Sequence, residues 1–372
     1  MKKSEQQSMV ATLKRIDNLV DKVEDWSRLP VEPLVSVYMI TYNHEKFIAQ
    51  ALDGILMQEV DFPYEIVIGE DKSTDRTRAV VCEYQRRHPD KIRLHLSREN
   101  LFRQKLAGLG PLAACRGKYI AMCEGDDYWT DPQKLQKQVA VLEAEPEVSF
   151  CFHDVLVVQD GGGGQYPFYT DLPQRTGQHP RPPGRIELKD ILPKNFIATG
   201  SVMARQSSML PLPSWIAELP AGDWGLFIHL LHSGCGVYLD QIMGVYRLHP
   251  GSMWSSRDPL DIHALWIREL RVVMQSLGEP HRTEMQCRKS ESIERFIRVA
   301  AGALRRTYQR HGHIAAKKQA RKLSDLADNK RIKPKSLLFA AYEQLFLHAS
   351  NAGNRRDALS AYWQCLRVRP VF

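Results

Sequence analysis

No stretch of this chain approaches the roughly 18 consecutive apolar residues of a membrane-spanning helix, so a span is excluded. The N-terminal run MKKSEQQSMVATLKRIDNLV has neither a long apolar core nor a small-residue cleavage pattern. The expectation is therefore a chain without a signal peptide, working in the cytoplasm. Cysteine is sparse and scattered: Cys82, Cys115, Cys123, Cys151, Cys235, Cys287 and Cys365 stand singly. None of the spacings fits a zinc knuckle or a redox pair, and reduced, mostly buried thiols are expected. Gly-rich phosphate loops are missing as well, both the Walker type and G-x-G-x-x-G. Heptads long enough for a coiled coil are also missing.

Charge is unevenly distributed. Residues 258–372 carry 22 Lys and Arg against 11 Asp and Glu, a balance of +11, which leaves −3 for the rest of a chain whose net charge is +8. A basic C-terminal third attracts an anionic membrane surface or an acidic partner, or is simply a solvated face of charged helices. Nucleic acid is disfavoured because no recognised binding module surrounds the charge.

Residues 1–33 are polar, with Leu13, Ile16, Leu19, Val20 and Val23 at helical spacing, and read as a leader or docking segment outside the core. From residue 34 strands and helices alternate. An almost continuously apolar run at 34–40 suits a parallel strand covered on both faces, and further strands are expected at 64–69, 92–96 and 119–123. Helical periods fall at 45–57, 76–88, 106–116 and 132–145, and 148–158 reads as one long strand or a strand pair. Such alternation indicates an α/β fold with a doubly wound, mostly parallel sheet, whose polar turns gather at the carboxyl edge where ligands bind. Residues 160–185 are rich in glycine and proline and read either as a lid or as a surface insertion. Beyond Pro259 the chain is helical, and its last two helices resemble one tetratricopeptide hairpin. Three domains are expected: the leader 1–33, a catalytic domain 34–257, and a basic α-helical extension 258–372.

Chemistry concentrates where the strand at 119 ends in Glu124-Gly125-Asp126-Asp127. Three carboxylates so close repel one another, and a divalent cation relieves them. Such a cation, held by few protein oxygens, completes its shell with substrate phosphates. The alternative is a solvated acidic turn.

Four landmarks in order, Val35–Asn43, Ile66–Asp75, Tyr119–Trp129 and Gly222–Trp224 followed by Tyr246–Trp254, resemble family 2 glycosyltransferases. Thr41-Tyr42-Asn43, Glu70-Asp71-Lys72-Ser73-Thr74-Asp75 and Glu124-Gly125-Asp126 stand where that family has its first strand end, its acidic pair and its D-x-D turn. The Glu-Gly-Asp-Asp-Tyr-Trp variant looks like bacterial members that build surface glycans or glycosylate proteins. The resemblance implies a GT-A fold and inverting transfer from a nucleotide-sugar, most simply a UDP-sugar, assisted by Mn2+ or Mg2+. Thr41, Tyr42, Asn43, Asp71, Arg103, Lys105, Glu124, Asp126 and Asp127 would hold the donor, with Tyr42 stacked on the base and Asp71 bonded to it. Asp126 and Asp127 would meet the metal, joined by His249, whose other reading is a loop histidine. Asp223, at a helix start, would be the general base, or merely a cap. Trp129, Trp224 and Trp254 would line the acceptor site or pack the core. The acceptor would be a glycan, a polyprenyl-linked glycan or a protein, with the basic helices touching the inner membrane face or a protein.

The sequence departs from the family twice: Glu124 replaces the first aspartate of D-x-D, and Asn100-Leu101-Phe102 lacks the usual glycine, leaving Arg103 or Lys105 for the phosphates. Two competing classes are a non-catalytic sugar-nucleotide sensor on the same fold and a nucleotidyltransferase. The missing glycine in Thr41-Tyr42-Asn43-His44 counts against the latter.

Overall fold

The computed structural model describes residues 3–364 apart from 105, 161, 163, 174–177, 220–221, 253–258, 280, 328–332, 352–360 and 362–363. Two compact units are present: residues 1–218 with 222–250, and residues 219–221 with 251–372.

The first unit is α/β. Its strands are β1 Val20–Val23, β2 Val35–Thr41, β3 Tyr64–Glu70, β4 Ile92–Ser97, β5 Tyr119–Glu124, β6 Tyr128–Trp129, β7 Val148–Gln159, β8 Gln165–Pro167, β9 Tyr169–Thr170, β10 His179–Pro180, β11 Arg185–Ile186, β12 Met203–Arg205 and β13 Cys235–Leu248. The main sheet runs β1-β4-β3-β2-β5-β12-β7-β13-β11. β4, β3, β2 and β5 are mutually parallel, as are β7 and β13. β12 lies antiparallel between β5 and β7, a reversal that short Met203–Arg205 gives no period to foresee. The stretch expected as a leader contributes β1, which pairs antiparallel with β4. Ile16 and Val20 are buried with Leu101 and Leu106, so this stretch belongs to the core after all.

The central strands are buried on both faces, and the face that meets the helices is apolar. Val35, Val37 and Met39 of β2, like Ile66 and Ile68 of β3, are fully buried. The helices Ile48–Leu56, Thr77–Arg87 and Lys134–Ala144 cover one face. At the amino ends, Glu65 is closed in by Ser36, Arg93 and Arg116, so polar capacity there is satisfied internally. At the carboxyl ends the strand order reverses between β2 and β5. This topological switch is where open α/β sheets hold ligands. β13 is one long strand with register shifts between Leu239 and Gly244. Its parallel pairing with β7 carries residue 249 back to the same edge. The 160–185 stretch contributes β8 to β7 and β11 to β13, alongside the separate β9–β10 pair.

The second unit packs helices Pro259–Ser276, His281–Ala327 and Pro334–Asn351 around Ile267, Phe296, Leu304, Ala320, Leu337 and Tyr342. The second helix of the expected tetratricopeptide hairpin lies largely outside the described residues. No described helix is long and apolar enough to cross a membrane.

Candidate active site

β2 and β3 end in turns that are tied to each other. Asn43 adopts a left-handed φ of 56°, tolerable for Asn, and its side-chain oxygen accepts the Thr74 N–H at 2.8 Å. The Asn43 N–H donates to Ser73 Oγ at 3.0 Å, the His44 N–H to Thr77 Oγ1 at 2.7 Å, and the Glu45 N–H to Asp75 Oδ2 at 3.1 Å. Asn43, predicted to touch donor, is thus occupied in holding the two turns together. Tyr42 beside it is 41% exposed, with its ring available.

Asp71 is buried, and its two oxygens accept the N–H groups of Leu101 at 2.7 Å and Phe102 at 3.0 Å. Burial raises its carboxyl above the usual range, against the pull of those two amide bonds. It therefore fixes the loop that carries the Phe102–Gln104 turn, in which Arg103 sits. Lys105 lies outside the described residues.

The acidic turn follows β5, where the Gly125 N–H donates to Ile40 O at 3.1 Å. Its three carboxylates have different surroundings. Asp126 Oδ2 lies 3.1 Å from His249 Nε2 and 3.7 Å from His44 Nε2. Burial acts to raise its carboxyl, but the His249 bond and the nearby His44 outweigh that and hold it below the usual range. Asp127 turns away: Oδ1 accepts the Arg247 N–H at 2.9 Å, and Oδ2 faces Gly200. Burial, then Asp126 and Glu124, push its carboxyl well up. Expected as a second metal ligand, Asp127 is not among the grouped ligand atoms, and His44 takes that place. Glu124 is pushed up to about 8 by burial and then by Asp126 and Asp223. The Asp223 charge thus reaches Glu124 although the two are far apart in sequence.

Thr41 is buried, and its Oγ1 lies 3.2 Å from His44 Nδ1. A β-carbon on Gly125 would stand 2.4 Å from that oxygen and 2.9 Å from that nitrogen, so only glycine lets the pair lie against the turn. Burial keeps the His44 imidazole below its ordinary value, against the influence of Asp126, and so neutral, the form that ligates metals. The His249 ring packs 4.6 Å from Phe47.

Asp223 begins the helix Gly222–Leu231, and Asn195 Nδ2 donates to its Oδ2 at 2.9 Å. Burial raises its carboxyl, opposed by the helix N–H of Trp224 and by Asn195. The tryptophan expectations need correction. Trp129 is 2% exposed, with Nε1 donating to Gly200 O at 2.9 Å and Lys134 Nζ 3.9 Å from its ring centre. Trp224 is 1% exposed, with Nε1 donating to Ile191 O at 3.0 Å. Neither face can stack on a sugar, and Trp254 lies outside the described residues.

Three residues carry more of the site than their sequence context announced. His44 sits in the first strand-end turn. Arg247 donates from Nη1 to the Asp126 carbonyl at 2.6 Å and braces the acidic turn. Tyr246 has its phenol held well up by burial, then by Asp127, Glu124, Asp126 and Asp223. For Arg247 and Tyr246 the signal was the Tyr246–His249 stretch itself, read for its histidine alone.

Among the described residues, His44, Asp126 and His249 are the single cluster that could hold a metal, with one ligand atom from each and all within 4.8 Å of one another. Two imidazole nitrogens and one carboxylate suit a divalent ion.

Residues 36–210 match the model of Glycosyl transferase family 2. That stretch, a little under half of the chain, is similar to the family. An uncharacterized protein of Mycobacterium tuberculosis is 36% identical over 230 residues, which span 60% of this chain and 61% of that one. The chain thus matches under two thirds of that relative's length. The putative teichuronic acid biosynthesis glycosyltransferase TuaG of Bacillus subtilis is 26% identical over 61% of this chain and 83% of its own. The crystal structure of S. aureus TarS 1-349 with UDP-GlcNAc superposes with a TM-score of 0.52 at 19% identity, covering 88% and 90% of the two chains. That likeness supports the GT-A architecture.

Proposed function

We propose that this protein transfers a glycosyl group from a UDP-sugar to an acceptor hydroxyl with inversion, using a divalent metal. The carrying observation is the convergence of four sequence-distant groups, His44, Asp126, Asp223 and His249, at the carboxyl edge of one sheet. Tyr42 would stack on the base with its exposed ring. Asp71 would accept the uracil imide, since an ionised carboxylate has more acceptor positions than its two amide bonds use. The UDP-GlcNAc held by TarS supports a uridine donor here. A metal at Asp126 and His249, when bound, offsets the charge that grows on the departing diphosphate.

Asp223 removes the acceptor proton from the opposite side. Its raised pKa suits that role, because a base nearer the working pH is both available and strong enough. Asn195 holds one oxygen and so directs the other towards the acceptor.

The acceptor is a glycan, a lipid-linked glycan or a protein. The long helix of the second unit supports delivery at an anionic membrane. Arg310, Lys317, Lys318 and Arg321 are exposed at helical spacing around Ile314, which is 84% exposed, while Ala316, Ala320 and Leu323 are buried. Cations around one apolar side chain suit a lipid surface. Co-sedimentation with anionic and neutral vesicles tests this; equal recovery of wild type and Lys317→Glu/Arg321→Glu removes it. Buried single thiols such as Cys115 and Cys151 accord with a reducing, cytoplasmic setting.

The central test is release of UDP from a panel of UDP-sugars, with and without Mn2+, for wild type, Asp126→Ala and Asp223→Asn. Metal-dependent release lost in both variants is expected. UDP binding without turnover over a broad acceptor panel would assign the site to a sensor instead.

A further inference from the structure

We propose that His44 is a third protein ligand of the metal, and that the two-imidazole, one-carboxylate set makes the site prefer Mn2+ to Mg2+. This rests on the divalent-metal reading above and adds to it a ligand and a selectivity. Three observations carry it. His44 and His249 both direct Nε2 at the same oxygen, Asp126 Oδ2, at 3.7 Å and 3.1 Å. A carboxylate that needed only one structural partner would not require two rings, and these stand edge to face with centroids 6.2 Å apart. The three ligand atoms lie within 4.8 Å of one another, so small side-chain rotations bring them to one ion.

The second observation is the support behind the ring. His44 Nδ1 is paired with Thr41 Oγ1 at 3.2 Å. With Nδ1–H donated to that oxygen, the lone pair lies on Nε2, the atom that faces Asp126. Metal-binding histidines are commonly held this way, with the far nitrogen fixed by a hydrogen bond. Thr41 is thus a positioning residue.

The third is Gly125. Any side chain there would displace both Thr41 Oγ1 and His44 Nδ1, so the turn that supplies Asp126 is shaped to admit this pair. The His44 main chain is anchored separately, through its N–H to Thr77 Oγ1 at 2.7 Å, so the ring is not needed to hold the loop.

The selectivity follows from ligand chemistry. Mg2+ favours oxygen ligands and gives up water reluctantly. Imidazole nitrogens raise the affinity of transition-metal ions over it. A site with one carboxylate and two nitrogens therefore discriminates more strongly than one with a single histidine.

The test uses the full chain, stripped of metal and titrated with Mn2+ in the presence of UDP. Free Mn2+ is followed by electron paramagnetic resonance, and bound Mn2+ is examined by pulsed measurement of its nitrogen couplings. Two imidazole couplings are expected in wild type, a reading that needs no variant. His44→Ala should show one coupling, Mn2+ affinity at least about tenfold weaker, and a smaller preference over Mg2+. Thr41→Val should keep both couplings while weakening Mn2+ by about tenfold. Thermal melting checks that each variant is folded. A single imidazole coupling in wild type, or unchanged affinity and selectivity in folded His44→Ala, would overturn the role of His44. Absence of Mn2+ binding in wild type would overturn the metal reading itself.

Discussion

The turn after β3 and the turn after β5 each place an aspartate at the same edge of the sheet, and the two are met by different partners. Asp71 accepts two backbone N–H groups and thereby builds the neighbouring loop. Asp126 meets two imidazoles and no amide of a distant loop. Backbone amides cannot leave, so the first carboxylate is largely architecture. Imidazoles can exchange their contact with a carboxylate for contact with an ion, so the second is prepared for one. Asp127 sharpens the contrast: one residue further along, it is drawn to the Arg247 amide and joins the structural class.

That contrast breaks most readily at Asp126. Asp126→Ala should lower Mn2+-dependent UDP release by about a thousandfold or more, with a melting temperature within about 2 °C of wild type. Calorimetry and the release assay on the same preparation check this. A large stability loss would move Asp126 into the class of Asp71.

Asp223→Asn comes next. It should reduce kcat by about 10²–10⁴-fold and leave donor KM nearly unchanged if, as proposed, the group acts on the acceptor proton. A rise in donor KM with kcat retained would place Asp223 with the donor.

Asp71→Ala should behave in the opposite way to Asp126→Ala. The buried Leu101 amide and the part-buried Phe102 amide lose their acceptor, which costs about 1–3 kcal/mol for a buried group left unsatisfied. A drop in melting temperature of several degrees is expected, with weaker UDP binding as the 100–104 loop loosens. Unchanged melting would remove the distinction drawn here.

Lys134 provides the smallest test. It is buried behind the acidic turn, with Gln138 and the Trp129 ring as neighbours, and burial pulls its pKa down to about 7. The unfolded lysine titrates near 10.4, so between those values the folded chain binds fewer protons. The lysine's contribution to stability is therefore fully present only above about pH 10.4 and falls as pH drops to about 7. Lys134→Met should raise the melting temperature by a few degrees at pH 7 and by less at pH 9. A pH-independent difference would show that Lys134 keeps its charge.

The four parallel strands were legible because both their faces are buried, which concentrates apolar residues in short stretches such as Val35–Thr41. Asp223 was legible as a carboxylate at a helix start. The antiparallel direction of β12 was not, since three residues carry no such signal and it is set by β5 and β7 on either side. Trp129 and Trp224 were misread because sequence does not record which way a ring turns at the end of a strand or the start of a helix. His44 was overlooked for a related reason. Its importance comes from β2 lying beside β5 and from a glycine opposite, and neither fact is local to residue 44.

β1 has a practical consequence. The family match begins at residue 36, but Val20–Val23 forms a ladder with β4 and leaves that strand no unpaired side. A chain trimmed to 36–210 would bare the amides and carbonyls of β4 to solvent, an invitation to intermolecular strand addition. It would also lack Asp223 and His249. Such a fragment should aggregate and be inert, and its failure would say nothing about the chemistry of the whole.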